Sequence, residues 1–259
     1  MALRSLTLKM VCVFLLIATL ALPSRAEERF KSLVGNVKTG KVADDKTISV
    51  PYITWGGDMA TFYANGGTRT KKGSIFDKKG LDLKLTAGDD FVQQVRDYIS
   101  GKSPFLRGTV RMMGLASEVI NADPTTQGMV ILQMTWSAGD HMLVRPGIKT
   151  VQSLKGKTVV LQKGGPHVGM LDDILHTARL SWKDIKVIWA DYLTGTDKSP
   201  AAMFRKSGSI DACFVITPDM IGLCGGLDST GSGAEGTVKG ARVLVSTAEL
   251  SRSIADVYV

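Results

Sequence analysis

The chain has 259 residues, of which 44% are hydrophobic and 22% are charged, and its formal net charge is +8. This balance is that of a globular protein and excludes the disordered and fibrous classes. The length suits one large domain or two small lobes. The basic residues form only short clusters, so the sequence offers no motif for binding nucleic acid.

The first 26 residues have the pattern of a secretory signal peptide. Arg4 and Lys9 precede an apolar stretch over residues 11–22, and Ser24 and Ala26 provide small residues where a signal peptidase reads them. The apolar stretch is shorter than the ~20 residues that span a bilayer, which makes a membrane anchor the weaker interpretation. Cleavage after Ala26 would remove three basic residues and no acidic one, lowering the net charge from +8 to +5. We therefore expect the mature protein to be exported.

Strand-like and helix-like segments alternate along the rest of the chain, after a polar lead-in. Apolar runs predict strands at 48–54, 81–85, 110–115, 129–134, 141–145, 158–162, 187–190, 212–216 and 241–245. Apolar residues at helical spacing predict helices at 58–65, 89–100, 168–180 and 199–206, and a further helical turn follows residue 217. A Gly- and Ser-rich tract over 227–240 predicts a long surface loop or a hinge return to the first lobe. The alternation predicts an α/β fold with mostly parallel sheets.

Five predicted strand ends carry glycine, threonine, aspartate or aromatic residues. Ligands bind at the carboxyl ends of strands in α/β sheets, so these turns predict one shared cleft. Glycines let backbone amides approach a ligand, although Asp58 is equally well explained as the cap of the next helix. The turns are Trp55–Asp58, Trp136–His141, Gly164–His167, Asp191–Thr196 and Thr217–Asp219.

Enzyme and metal-site templates fit the sequence poorly. The turn Gly164–His167 resembles a phosphate-binding loop only loosely, because Met170 stands where such a loop has lysine. No G-x-S-x-G motif is present, and the three histidines show no metal-binding spacing. We expect no catalytic residue, metal or cofactor. Export permits a disulfide between Cys213 and Cys224, but a buried free thiol is the simpler interpretation of Cys213 in its apolar strand.

The sequence leaves the charge of the ligand open. Arg107 either grips a carboxylate or sulfonate with two donors or pairs with an acid of the protein itself. Helix starts after Gly165 and Thr217 favour a negative ligand, as do Arg107 and His167. Four aspartates favour amines or hydroxyls instead, and they are Asp58, Asp140, Asp191 and Asp219.

The order of short motifs in the second half resembles that of periplasmic solute-binding proteins of ABC importers, in their nitrate, sulfonate and taurine branch. The resemblance covers residue 48 to the end and is most specific over 151–222. Its motifs are LKGKTVV at 154–160, LSWKDIKV at 180–187, MFRK at 203–206, IDAC at 210–213 and TPD at 217–219.

The resemblance implies two Rossmann-like α/β lobes joined by hinge strands, the type II periplasmic binding protein fold. Residues 27–46 would form the lead-in, 47–137 plus 238–259 lobe one, and 138–237 lobe two. Family chains continue well past the return strand, so we expect lobe one to be incomplete at its C-terminus. Together with Arg107, the ligand-facing turns of the family predict contacts from Trp55, Gly57, Asp58, Trp136, Asp140, His141, Gly164, Gly165, His167, Thr194, Thr217 and Asp219.

The expected function is that of a monomeric periplasmic receptor. Its lobes would close by hinge motion on a small polar or anionic solute of the nitrate, sulfonate or taurine kind and deliver it to an inner-membrane ABC permease. One alternative is an enzyme on the same scaffold that acts on a pyrimidine or thiamine-related compound, with His167 beside an aspartate or Cys224 as its weak catalytic candidate. Another is a sensor or adaptor domain that binds through its surface.

Overall fold

The computed structural model of the chain describes residues 29–250 and 252–259, so the predicted signal peptide lies outside the described residues. It shows two α/β lobes with separate apolar cores, as the sequence predicts. No helix in these ranges is long and apolar enough to cross a membrane.

Helices and strands alternate along most of the chain. They are α1 (Phe30–Val34), β1 (Ile48–Tyr52), α2 (Met59–Asn65), β2 (Leu83–Ala87), α3 (Phe91–Ile99), β3 (Arg107–Thr109), α4 (Val110–Ile120), β4 (Leu132–Trp136), β5 (Asp140–Val144), β6 (Thr158–Gln162), α5 (His167–Thr177), β7 (Lys186–Ala190), α6 (Pro200–Lys206), β8 (Ala212–Ile216), α7 (Thr217–Cys224), β9 (Arg242–Ser246) and β10 (Ala255–Tyr258). The exceptions are β4, β5 and β6, and later β9 and β10, which follow one another without an α-helix between them.

The sheets are mixed rather than mostly parallel. In the first lobe, β1 pairs with β2 in parallel, and β10 lies between β3 and β4, antiparallel to both. The second lobe has a five-stranded sheet in the order β7-β6-β8-β5-β9. There β6 runs parallel to β7 and β8, whereas β5 runs antiparallel to β8 and β9. Each antiparallel pair contains β5 or β10, the strands with which the chain enters one lobe and returns to the other.

Capping residues fix where several helices begin. The side chain of Asp90 accepts a hydrogen bond of 3.0 Å from the amide of Gln93 at the start of α3. Ser199 caps α6 in the same way, and Pro200 follows at a position whose missing amide hydrogen costs nothing. Both helix starts were readable from the sequence.

The strand predicted at 110–115 is wrong, since these residues begin helix α4. Thr109 accepts a hydrogen bond of 3.2 Å from the amide of Met112 and so caps a helix there. The buried residues of α4 are Met112, Met113, Ala116 and Ile120, which is helical spacing. Within residues 110–115 the two adjacent methionines make the sequence look like a short apolar strand, because the helical spacing shows only when residues up to 120 are included.

Part of the lead-in belongs to the core of the first lobe. Helix α1 buries Phe30 and Val34, and the ring of Phe30 lies 5.8 Å from that of Phe91 on α3. The guanidinium of Arg96 donates a hydrogen bond of 3.0 Å to the carbonyl of Val34. The segment predicted as a lead-in over 27–46 therefore contains a helix that packs into the core.

Two chain segments cross between the lobes, over residues 137–139 and over 247–250 with 252–254, and backbone hydrogen bonds hold them in place. The amide of Ser137 donates to the carbonyl of Ile254 at 2.8 Å, and that of Thr247 donates to the carbonyl of Asp140 at 2.9 Å. We call these the crossing segments. The return crossing lies later than the sequence analysis placed it, because β9 pairs with β5 inside the second lobe.

Candidate functional site

A small cavity lies where the two lobes meet. Its volume is about 20 Å³, close to what one water molecule needs. The first lobe contributes Ile53, Trp55 and Thr109, the second lobe contributes Pro166, Leu193 and Ile216, and the crossing segments with their adjoining strands contribute Ser137, Asp140, Ile254 and Asp256.

Contacts at the rim hold the lobes together. The side-chain amide of Gln162 donates a hydrogen bond of 3.0 Å to the carbonyl of Asp89. Farther out, Arg111 on α4 bonds the carboxylate of Asp173 on α5, lies 3.6 Å from Asp172 and donates to the carbonyl of Gly169 at 3.2 Å. The structure is therefore a closed arrangement of the lobes.

Behind the first-lobe wall, Arg107 bridges two aspartates. Its Nε lies 2.9 Å from Oδ1 of Asp58 and its Nη1 lies 2.9 Å from Oδ1 of Asp256, and the Arg107 side chain is 0% exposed. Burial opposes its charge, but the two carboxylates outweigh that effect and raise the pKa of Arg107. Of the two roles the sequence left open for Arg107, pairing with acids of the protein is the one the geometry supports.

Asp58 and Asp256 differ in how completely they are bonded. The second oxygen of Asp58 accepts the amide of Ile53 at 3.0 Å. The second oxygen of Asp256 is buried and has no hydrogen-bond partner among the described residues. Burial raises the pKa of Asp256 to about 6 in spite of Arg107, and the neighbouring carboxylates of Asp140 and Asp58 add to the rise.

The second-lobe wall is built on Asp140 and His167. His167 begins helix α5, is fully buried, and its Nε2 lies 2.7 Å from Oδ1 of Asp140 at the start of β5. The hydroxyl of Ser137 bonds the other oxygen of Asp140. Burial opposes ionisation of Asp140, but the bonds from His167 and Ser137 and the charge of His167 hold its pKa below the ordinary value.

His141 has a structural role next to this pair. Its ring nitrogens lie 3.0 Å from the hydroxyl of Ser246 and 2.9 Å from that of Thr217, which joins β5 to β9 and α7. Burial lowers the pKa of His141, Asp140 opposes the shift and His167 adds to it. The ring is therefore held neutral at physiological pH.

Trp55 is the aromatic wall of the cavity and reaches across to the second lobe. A Cβ on Gly57 would lie only 1.4 Å from a carbon of the Trp55 ring, so glycine at 57 is what lets the ring lie there. The indole nitrogen lies near Gly139 and Thr217 of the second lobe, since a Cβ on Gly139 would meet both. Ile53, Leu193 and Ile216 pack with Trp55 into one small apolar cluster.

The structure brings only part of the predicted set together. Trp55 and Asp140 line the cavity, and Asp58, Arg107 and His167 form the layer behind it. Gly164 lies near the ring of Phe30, and Gly165 lies against the side chain of Gln162 next to the lining residue Pro166. The other predicted residues do not line the cavity. Gly57 leaves room for the Trp55 ring, and Trp136 is 43% exposed on β4. Thr217 bonds His141, and Thr194 bonds Asp219.

The predicted turns contain half of the lining residues, namely Trp55, Ser137, Asp140, Pro166 and Leu193. Sequence reasoning missed the others, of which Ile53, Ile216 and Ile254 are apolar and look like ordinary core residues in the sequence. Asp256 carried a usable signal, because it is a single acid inside the apolar run 254–259. A charge in such a run is expected to have a partner or a function.

The described residues show neither a metal cluster nor a disulfide. No group of three or more His, Cys, Asp and Glu side chains there is arranged to hold a metal ion. Cys213 and Cys224 are free and buried, and burial raises the pKa of the Cys213 thiol well above its usual value. The possible disulfide is thus absent between these two residues.

Two α/β lobes that enclose a cavity beside a pair of crossing segments define the fold of two-lobe solute-binding proteins. The chain belongs to the NMT1/THI5-like family, whose model matches residues 70–222. The predicted resemblance is confirmed at the level of family and fold. No curated protein matches the chain.

Solved structures show the same fold at low sequence identity. The periplasmic aliphatic sulphonate binding protein SsuA from Escherichia coli matches with a TM-score of 0.56 at 18% identity, over 83% of this chain and 65% of that protein. The periplasmic nitrate-binding protein NrtA from Synechocystis PCC 6803 matches with a TM-score of 0.55 at 15% identity, over 85% of this chain and 56% of that one. The chain thus spans less than two thirds of the length of either protein.

Proposed function

We propose that this protein is the substrate-binding component of an ABC importer, exported to the periplasm as a monomer. It captures a small polar solute between its lobes and delivers it to an inner-membrane permease. The observation that carries the proposal is the cavity itself, which both lobes and both crossing segments line. A site of that construction forms only when the lobes close, so binding and closure are coupled.

The fold relatives support this proposal and bound the solute. Two of them are a sulphonate-binding and a nitrate-binding periplasmic protein. The cavity of about 20 Å³ has room for about one water molecule, so any solute must be small and the lobes must move apart to hold it. Sulfonates, nitrate and taurine are therefore the first compounds to test.

A thermal-shift screen on the full chain, exported and purified from the periplasmic fraction, tests the proposal. A solute present at 100 times its Kd stabilises the folded state by about 2.7 kcal/mol, which raises Tm by several degrees. Nitrate, sulfonates, taurine, small amines and pyrimidines form the panel, and the mass of the purified protein reports removal of residues 1–26. If no compound raises Tm at millimolar concentration, the receptor function is rejected.

The hydrogen bond between His167 and Asp140 is the observation that favours a second function, an enzyme acting on a pyrimidine or thiamine-related compound. A nucleophile next to this pair would be required. The Ser137 hydroxyl bonds Asp140 rather than His167, and the Cys224 thiol bonds backbone carbonyls of Met220 and Gly226. A turnover assay with and without His167→Ala separates the functions, since a receptor has no turnover to lose.

A further inference from the structure

Three buried aspartates surround the cavity, and one of their six carboxylate oxygens has no partner. Asp58 bonds Arg107 and the amide of Ile53, and Asp140 bonds His167 and Ser137. Asp256 bonds Arg107 through Oδ1 only, and its Oδ2 is without a partner in the described part of the chain. Asp256 lines the cavity and is 4% exposed.

The charges around the cavity do not balance. Arg107 is one positive group held between two carboxylates, Asp58 and Asp256, so the ionised trio carries a net negative charge. Asp140 engages its own partner, His167. A buried charge without compensation is costly, and the cost is removed by a proton on the carboxylate or by a cation beside it.

The rest of the cavity suits an organic cation. No residue that lines it among the described residues carries a positive charge, so an anion would face Asp140 and Asp256 without a counter-ion in contact. The other lining residues are Trp55, aliphatic side chains and the hydroxyl-bearing Thr109 and Ser137. An aromatic ring attracts a cation through the negative face of its π system, and aliphatic walls accept the carbon part of such a ligand.

From this juxtaposition we propose that the solute carries a small protonated nitrogen group, an ammonium or amidinium, that donates a hydrogen bond to Oδ2 of Asp256. The inference rests on the proposed receptor function and makes it more specific. It assigns Asp256 as the residue that selects for charge, and Trp55 as the wall against which the cation lies. A simple inorganic anion such as nitrate lacks the required donor.

Acetamidinium, acetamide and acetate test the charge requirement directly, because they share one shape and carry positive, zero and negative charge. At pH 7.5 and constant ionic strength, we expect acetamidinium to raise Tm at millimolar concentration and acetate to leave it unchanged. Below the pKa of Asp256 the carboxyl is protonated, so the affinity for acetamidinium should fall about tenfold from pH 7.5 to pH 5. The groups that face Asp256 and enter this titration are Arg107, Asp58 and Asp140.

Asp256→Asn tests the residue, since it keeps an oxygen for Arg107 and removes the charge. We expect the preference for acetamidinium over acetamide to drop at least tenfold, while Asp197→Asn, an exposed aspartate of the second lobe, retains it. If Asp256→Asn does not fold, the pH dependence of the unmodified protein decides.

The possible failures are distinguishable. If acetate or nitrate stabilises the protein and acetamidinium does not, the charge assignment is overturned and the receptor function stands. If the broader screen finds only ligands without a cationic nitrogen, the assignment is overturned in the same way. If neither the three test compounds (acetamidinium, acetamide and acetate) nor the broader screen yields a ligand, both proposals are rejected.

Discussion

His167 and Asp140 are 27 residues apart in the chain and meet at 2.7 Å in the closed structure. The bond ties the first turn of helix α5 to the first residue of strand β5, next to a crossing segment. The same carboxylate bonds Ser137, so the start of α5 and the connection between the lobes form one rigid unit. Several expected results follow from this unit and its surroundings.

His167→Ala should lower the free energy of unfolding by about 2–4 kcal/mol, because it leaves the buried carboxylate of Asp140 with one partner fewer and opens a cavity. Urea unfolding at pH 7 measures the change. His176→Ala removes an exposed histidine from the same helix and should cost less than about 0.5 kcal/mol. Equal effects of the two substitutions would show that the bond to Asp140 contributes little.

Asp256 should make the protein less stable as pH rises through 6. Its pKa is raised in the folded state, from 3.8 to about 6, so the folded state binds more protons than the unfolded state between these values. The resulting loss of stability between pH 4 and pH 7 is about 2 kcal/mol. Asp256→Asn should lack this decline. His141 acts in the opposite direction, because its lowered pKa reduces the stability of the fold as pH falls below about 6.5. The quantity to compare is therefore the difference in unfolding free energy between Asp256→Asn and the unmodified protein at each pH.

Arg111→Ala should weaken solute binding severalfold and leave stability almost unchanged. The Arg111 side chain is 48% exposed, and ion pairs in water contribute less than about 1 kcal/mol to folding. It nevertheless joins α4 of the first lobe to α5 of the second, so its loss shifts the population toward open lobes. An increased radius of gyration in small-angle scattering would report this. Lys157→Ala breaks a pair with Asp211 inside the second lobe and should leave the radius as it is.

Gly57→Ala should reduce solute affinity at least tenfold by moving Trp55 out of the cavity wall. The added Cβ would lie 1.4 Å from a ring carbon, which no side chain tolerates. Gly56→Ala is the matched control, because a Cβ there meets nothing within 4 Å. Titration calorimetry with a stabilising solute compares the two. Similar affinities would show that the indole does not shape the site.

The sequence predicted most elements because their signals are local. The bounds of β6 coincide with the prediction and those of α6 differ by one residue, since a continuous apolar run and a Ser-Pro start define them locally. The return crossing was placed too early because the Gly-rich tract 227–240 has the composition of a hinge, whereas strand pairing decides which lobe β9 joins.

The candidate site was harder to predict because it depends on contacts between distant segments. The sequence predicted Arg107 as a ligand contact. Its actual partners, Asp58 and Asp256, lie 49 and 149 residues away in the chain. A sequence shows that such an arginine needs acids, but only the fold shows which acids reach it. Ile254 and Asp256 also line the cavity, and they lie in a segment outside the five predicted turns.

The crossing segments have a mechanical consequence. One backbone hydrogen bond joins the two segments, from Ser137 to Ile254, and a second anchors Thr247 to Asp140 at the start of β5. Together these connections form the pivot about which the lobes rotate. Since Ser137 and Ile254 also form part of the cavity wall, a molecule in the cavity touches the pivot itself, and the angle between the lobes registers its presence without any relay.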